Sequence, residues 1–245
     1  MSPRTVSYGK CFLCGETLAK NAVSRHLAKC LPAHEEAGKG QPVRLFHLLA
    51  EGLNAPAYWL HLEIPANATL FDLDSFLRDI WLECCDHLSA FTINHVQYEL
   101  DTGMVDAMWK DFFGPSRPSA SMKIKLYQAL SAGNTFTHEY DFGTTTVLKL
   151  KFVNERRGLL PKETVRLLAR NYAPDLRCKD CGAPAEWLYV YEYPYEPYCE
   201  EHGMEKYGEE GLMPVVNSPR VGECGYTGPF DKSLRFEERM PAGKG

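Results

Sequence analysis

Two sets of cysteine and histidine residues, one near each end of the chain, constrain the fold more than any other feature. The first set has the pattern C-x2-C-x11-H-x3-C and the second has the pattern C-x2-C-x17-C-x2-H. A Cys-x2-Cys turn directs two thiolates at one ion, and a second close pair completes a tetrahedron. We therefore predict two zinc ions per chain. The predicted ligands are Cys11, Cys14, His26 and Cys30 for one ion, and Cys178, Cys181, Cys199 and His202 for the other.

The first set resembles a ββα zinc finger of the CCHC kind, which we assign to residues 1–40. His26 and Cys30 are four residues apart, so they lie one above the other on the face of a helix predicted from about Asn21 to Leu31. A module of this size cannot bury enough apolar surface alone. The metal would therefore supply most of its folding energy.

The second set predicts a zinc ribbon with two knuckles. Cys224, in the run GECGYTG, is a substitute for His202 as the fourth ligand, although the x2 spacing favours His202. Four protein ligands make a closed, structural zinc site, whereas a catalytic zinc usually keeps a position for water. Neither set is therefore predicted to be catalytic.

Tyrosines recur at every second position between the two knuckles. Period two places them on one strand face until Pro194 and Pro197 interrupt regular pairing. Such a face can stack nucleic-acid bases. We favour the alternative, in which it packs against the neighbouring domain. The four residues are Tyr189, Tyr191, Tyr193 and Tyr195.

Residues 43–157 are predicted to form an α+β domain. The runs VRLFHLLAEG and AYWLHLEIP read as a hairpin, and further strand-like runs surround Gly143. Thr69 and Asp72 predict the start of a helix between these strands. The apolar stripe of that helix ends at Cys84, so Cys84 and Cys85 are interpreted as small buried hydrophobes. A helix packed on a mixed sheet gives a β-grasp-like core.

Residues 158–245 are predicted to contain a short helix, which begins at Pro161, followed by the zinc ribbon. Arg166 and Arg170 would lie one turn apart on its outer side. That side is either a solvated helix face or a contact for an anion.

Several blocks resemble the Ri-plasmid open-reading-frame-three family, whose members are also labelled TnpR-type passenger proteins of insertion elements. The blocks are LEIPANATLFDLDSFLRDIW, DHLSAFTINHVQYEL and FTHEYDFG, and VRLLARNYAPDLRCKDCGAPA and VNSPRVGECGYTG resemble its zinc-carrying branch. The resemblance covers roughly residues 43–230. It implies a β-grasp-like core and a mobile-element setting.

The resemblance does not extend to every position. Many members follow YDFG with an acidic residue, a tryptophan and a histidine, where this chain has Thr144, Thr146 and Leu148. The passenger label suggests recombination, which requires an activated nucleophile and a cluster of arginines on the phosphate. Residues 45–155 contain only two arginines beside fourteen acidic residues, so we do not predict a recombinase.

The charge distribution points to the finger as the contact for a polyanion. Residues 1–44 carry a net charge of +4, whereas residues 45–155 carry −7. We predict that Lys20, Arg25 and Lys29, on or beside the finger helix, contact nucleic acid. The chain is thus predicted to be a non-enzymatic, nucleic-acid-binding zinc protein. The alternatives are an adaptor that binds only protein and, with least support, an enzyme with a site in a core cleft.

The sequence also predicts a cytoplasmic protein without a membrane partner. No run of about 18 apolar residues exists, and the start MSPRTVSYGKC lacks the apolar region of a secretory signal. Thiols stay reduced in the cytosol, so metal explains the nine cysteines better than disulfides do.

Overall fold

The computed structural model describes residues 6–34, 41–100, 119–159 and 165–241. The strands are β1 (Tyr8–Cys11), β2 (Thr17–Ala19), β3 (Val43–Gly52), β4 (Trp59–Pro65), β5 (Ser89–Ile93), β6 (Val96–Glu99), β7 (Ser119–Ser121), β8 (Thr135–Tyr140), β9 (Thr146–Gly158), β10 (Arg166–Asn171), β11 (Trp187–Tyr189), β12 (Glu196–Tyr198) and β13 (Leu212–Pro214). The helices are α1 (Lys20–Ala33), α2 (Leu70–Leu77), α3 (Leu126–Ala129) and α4 (Glu200–Tyr207). A π-helical turn, Arg78–Leu82, follows α2.

The strands of the described part of the chain form one large and one small sheet. The order in the large sheet is β2-β1-β10-β4-β3-β9-β8-β5-β6-β7, and the order in the small sheet is β12-β11-β13. Strands β6 and β7 pair in parallel, so the large sheet is mixed. The fold is α+β, as predicted, and strands account for most of its regular structure. In these residues no helix is both long and apolar enough to cross a membrane.

The predicted hairpin and the helix after it are confirmed. Strands β3 and β4 pair in antiparallel register. The hydroxyl of Thr69 accepts from the Asp72 backbone N–H at 3.1 Å, and the Asp72 carboxylate accepts from the Thr69 backbone N–H at 2.7 Å. This capping box begins α2. One face of β4 then packs with α2 in the main core. The core residues of these two elements are Leu60, Leu62, Ile64, Leu70, Leu73 and Leu77.

The opposite face of β4 carries the finger. Strand β1 pairs with β10, so the finger extends the large sheet. Its helix α1 buries Val23 and Leu27 in a second apolar cluster that includes Trp59. At Gly9 an added Cβ would lie 2.2 Å from the carbonyl oxygen of Arg170 and 2.5 Å from the Trp59 ring. Only glycine permits this close approach of β1 to the sheet.

The helix predicted from Pro161 is wrong where the structure describes it, because Arg166–Asn171 is strand β10. Residues 161–164 of that prediction lie outside the described residues. Strand β10 lies between β1 and β4 and is covered on both faces, so buried side chains recur along it without strict alternation. The resulting pattern resembles a helical stripe, but pairing on both edges decides the conformation. Arg170 is 1% exposed and donates to the carbonyl of Leu234 at 2.9 Å.

Two buried histidines in the sheet should make the folded protein less stable in acid. His47 Nε2 and His61 Nδ1 are 2.8 Å apart, and both side chains are buried. Burial lowers the pKa of His47 from 6.5 to about 4, and it lowers the pKa of His61 well below its usual value. The unfolded chain therefore binds more protons between about pH 6.5 and pH 4. The free energy of unfolding should fall as the pH falls through that window, by about 2 kcal/mol for His47 alone between pH 7 and pH 5.

Urea denaturation at pH 7 and pH 5 measures this loss. The double variant His47→Leu with His61→Leu provides the comparison, because zinc ligands titrate equally in both proteins. The wild-type protein should lose more stability than the variant does. Equal losses in the two proteins would contradict the assignment.

Candidate metal centres

The first predicted set of ligands comes together between the turn after β1 and the face of α1 that carries His26 and Cys30. The Sγ atoms of Cys11 and Cys30 are 3.9 Å apart, and Cys14 Sγ is 3.4 Å from His26 Nε2. All four ligand atoms lie within 4.8 Å of one another. Glu16 approaches the other ring nitrogen of His26 at 3.3 Å, the position of an outer-shell carboxylate that orients a metal-bound histidine.

Backbone geometry explains this arrangement. Cys11 is the last residue of β1, and the turn after it closes with a hydrogen bond of 2.8 Å from the Gly15 N–H to the Cys11 carbonyl. Helix α1 then places His26 and Cys30 one turn apart, as the spacing predicts. Burial, together with the neighbouring thiols of Cys14 and Cys11, raises the pKa of Cys30 to about 12. A bound cation would reverse that effect, because coordination deprotonates a thiol.

The second predicted set comes together beside the small sheet. Cys178 Sγ and Cys199 Sγ lie 3.7 Å and 3.2 Å from His202 Nδ1, and Cys181 Sγ lies 3.8 Å from Cys199 Sγ. Cys199 immediately precedes α4, and His202 occupies the first turn of that helix. Burial raises the pKa of Cys178, but hydrogen bonds from the backbone at Cys199, Cys181 and Asp180 outweigh burial and lower it to about 6. Cys224 is not part of this group.

A third group was not predicted. It contains Cys84, Cys85, His87 and Cys224, and its ligand atoms also lie within 4.8 Å of one another. The interpretation of Cys85 as a buried hydrophobe is wrong, because its side chain is exposed, whereas Cys84 is half-buried and packs against the main core. The π-helical turn ends at Leu82, and burial decreases over the residues that follow it.

The three groups use every cysteine of the chain. Nine cysteines occur in the sequence, none forms a disulfide, and each group takes three of them with one histidine. Each group can hold a metal ion. The composition offered a signal for the third, because two sets with three cysteines each left Cys84, Cys85 and Cys224 unassigned. The short run Cys-Cys-x-His was a second signal.

The predicted nucleic-acid contacts differ in their surroundings. Arg25 and Lys29 are exposed on α1. The ammonium group of Lys20 instead lies 2.5 Å from a Glu51 carboxylate oxygen and 2.7 Å from the Pro56 carbonyl. Lys20 is therefore already paired within the protein.

Part of the predicted tyrosine face does not pack against the rest of the protein. Tyr191 is 65% exposed and Tyr193 is 88% exposed. Tyr189 stacks on Tyr207 of α4, with ring centroids 3.8 Å apart. Tyr195 donates a hydrogen bond to Glu223 at 2.8 Å. We call Tyr189, Tyr191 and Tyr193 the tyrosine face.

Comparisons with known proteins do not identify a family. No protein-family model matches the sequence, and no curated protein matches it. Among solved structures, the chain is similar to a protein of unknown function, MM3350 from Methanosarcina mazei Go1. The TM-score is 0.45 and the sequence identity is 18%, over 60% of this chain and 78% of that chain.

Proposed function

We propose that the protein is a non-enzymatic zinc-binding protein, and that zinc at the first two groups holds the finger and the ribbon in their folded forms. The observation that carries this proposal is the convergence of four ligands, three thiols and one imidazole, at each group. Thiolate and imidazole ligands in a set of four are typical of structural zinc. Such a site leaves no position for a catalytic water.

We further propose that the finger contacts nucleic acid through Arg25 and Lys29. Both are exposed on the same helix, four residues apart, so they can meet neighbouring phosphates. The pairing of Lys20 with Glu51 reduces the expected number of phosphate contacts from three to two. A link to mobile elements belongs to the same proposal and is based on the sequence resemblance alone. A β-grasp-like core also belongs to it, and it is based on the order of strands and helix together with that resemblance.

The salt dependence of binding tests this contact. Two phosphate contacts on duplex DNA should give a slope of log K against log[salt] of about −2. The double variant Arg25→Glu with Lys29→Glu should abolish binding without changing the zinc content, because neither residue is a ligand. A matched control is Lys123→Glu with Lys125→Glu. It makes the same change in charge beside β7, at the opposite end of the large sheet from β2. Equal loss of binding in both double variants would contradict a specific contact at the finger.

The alternative is a protein adaptor, and the surface of the ribbon favours it. Residues 178–214 contain nine acidic residues and two lysines. Both lysines are paired, Lys179 with Glu196 and Lys206 with Asp180. The tyrosine face lies within this acidic region, residues 178–214. A basic protein segment would therefore find complementary charge and aromatic rings for its cations.

The two candidates are separable by experiment. Tyr191→Ser with Tyr193→Ser should weaken binding of an arginine-rich peptide if the ribbon is the contact, and it should leave DNA binding unchanged. Failure of the intact protein to bind any duplex or single strand at low salt would exclude the nucleic-acid function and favour the adaptor.

A further inference from the structure

The third group joins two distant parts of the chain. Cys84, Cys85 and His87 follow the π-helical turn after α2, whereas Cys224 lies 137 residues beyond His87 in the C-terminal segment, residues 215–241. We propose that these four side chains bind a third zinc ion, which links the C-terminal segment to the loop after α2. The inference goes beyond the two ions of the proposed function.

The four ligand atoms of the group lie within 4.8 Å of one another, close enough to meet at one ion. Zinc bonds of about 2.3 Å to sulfur and about 2.0 Å to nitrogen require ligand atoms about 3.5–3.8 Å apart. Cys85 Sγ lies 3.7 Å from Cys224 Sγ, within that range. His87 Nε2 lies 3.0 Å from Cys85 Sγ and 3.2 Å from Cys224 Sγ, so a bound ion would move these atoms slightly apart. Cys84 Sγ lies 3.4 Å from Cys85 Sγ, which is too far for a disulfide bond of about 2.05 Å.

Tyr140 of the core and Arg220 of the C-terminal segment hold the loop of ligands in position. The hydroxyl of Tyr140 accepts from the backbone N–H of Cys84 at 3.4 Å and from that of His87 at 3.3 Å. The buried guanidinium of Arg220 donates to Cys84 Sγ at 3.5 Å and to Asp141 at 2.7 Å. An N–H donor to a coordinating sulfur is a typical outer-shell contact of a thiolate metal site. Three of the four ligands are thus placed before any ion binds.

The position of Cys224 indicates a role for its thiol. Its φ is +45°, a left-handed conformation that favours glycine and is strained for other residues. Its side chain is exposed, so packing does not account for a cysteine there. A ligand role does, because the conformation directs Sγ to within 3.7 Å of Cys85. Soft thiolates with an imidazole select zinc over the hard cations.

The proposed ion is not needed to fold the C-terminal segment. Asn217 Nδ2 donates to the backbone carbonyls of Asn171 and Phe236 at 3.0 and 2.8 Å, and Ser218 donates to the Trp81 carbonyl at 2.6 Å. All three hydrogen bonds are buried. Replacement of Cys224 should therefore remove the ion and leave a folded protein, which makes the test decisive.

The experiment measures the zinc content of the full chain purified under reducing conditions. We expect three zinc ions in the wild-type protein and two in Cys224→Ser, with an unchanged circular dichroism spectrum. The matched control is Asp86→Asn. This residue lies between Cys85 and His87 but is not a member of the group, and asparagine tolerates its φ of +59°. The control should keep three ions.

A second variant and a thiol assay keep the proposal falsifiable. If Cys224→Ser does not fold, Cys85→Ser takes its place and should also contain two ions. Two ions in the wild-type protein, with Cys85 and Cys224 freely reactive toward a thiol reagent, would overturn the proposal. A disulfide between Cys84 and Cys85 in the reduced preparation, or three ions in both variants, would overturn it as well. None of these results would remove the finger or ribbon ions, so the proposed function would stand.

Discussion

Replacement of Cys178 by serine is expected to remove one zinc ion and to unfold the ribbon, which comprises β11, β12, β13 and α4. The ribbon has few buried apolar side chains of its own, and these belong to neither of the two apolar clusters. They are Cys178, Ala185, Leu188, Tyr198 and Leu212. Structural zinc contributes an apparent binding free energy of about 10–16 kcal/mol to modules of this kind. The free energy lost with one ligand should therefore be larger than the stability that so small a core can provide.

Amide hydrogen exchange and zinc analysis check this prediction together. Amides of β11–β13 should lose protection in Cys178→Ser, while those of β3 and β4 keep it, because the main core is separate. The matched control is Cys224→Ser, which should leave the ribbon protected. Loss of ribbon protection in both variants would show that Cys224 is a ligand of this site, and retention of protection in Cys178→Ser would contradict the prediction.

Replacement of Arg220 by alanine is expected to destabilise the whole protein by about 3–5 kcal/mol. The guanidinium is fully buried and lies 2.7 Å from Asp141, which is itself buried. It also donates to the Thr144 carbonyl at 3.1 Å and to the Thr146 hydroxyl at 3.0 Å. Removal would leave a buried carboxylate without its partner. An unpaired carboxylate that is buried destabilises the folded protein far more than an unpaired carboxylate that is exposed to water.

Urea denaturation with a surface control measures the difference. Arg177 pairs with Asp175 at 2.8 Å, and both side chains are more than half exposed. Arg177→Ala should therefore cost less than about 1 kcal/mol. The double variant Arg220→Ala with Asp141→Asn should recover part of the loss, because it removes the unpaired charge. A cost for Arg220→Ala no larger than that for Arg177→Ala would contradict the assignment.

The features that the sequence predicts correctly depend on residues that are close together along the chain. Cys-x2-Cys turns, the helical spacing of His26 and Cys30, and the capping box of Thr69 with Asp72 each depend on fewer than about six consecutive residues. Backbone geometry alone determines how such residues meet. The sequence by itself therefore determined two of the candidate metal groups, the β3–β4 hairpin and the start of α2.

Tertiary structure alone decided the rest, because the deciding contacts join distant residues. Strand β10 resembles a helix in its apolar spacing until β1 and β4 pair with it on both edges. The sequence predicted that Lys20 is available to contact phosphate, but in the folded protein it pairs with Glu51. The third group required Cys224 to meet Cys85, 139 residues earlier in the chain. No local spacing encodes such a pairing; it exists only when Arg220 and Asn217 anchor the C-terminal segment on the sheet.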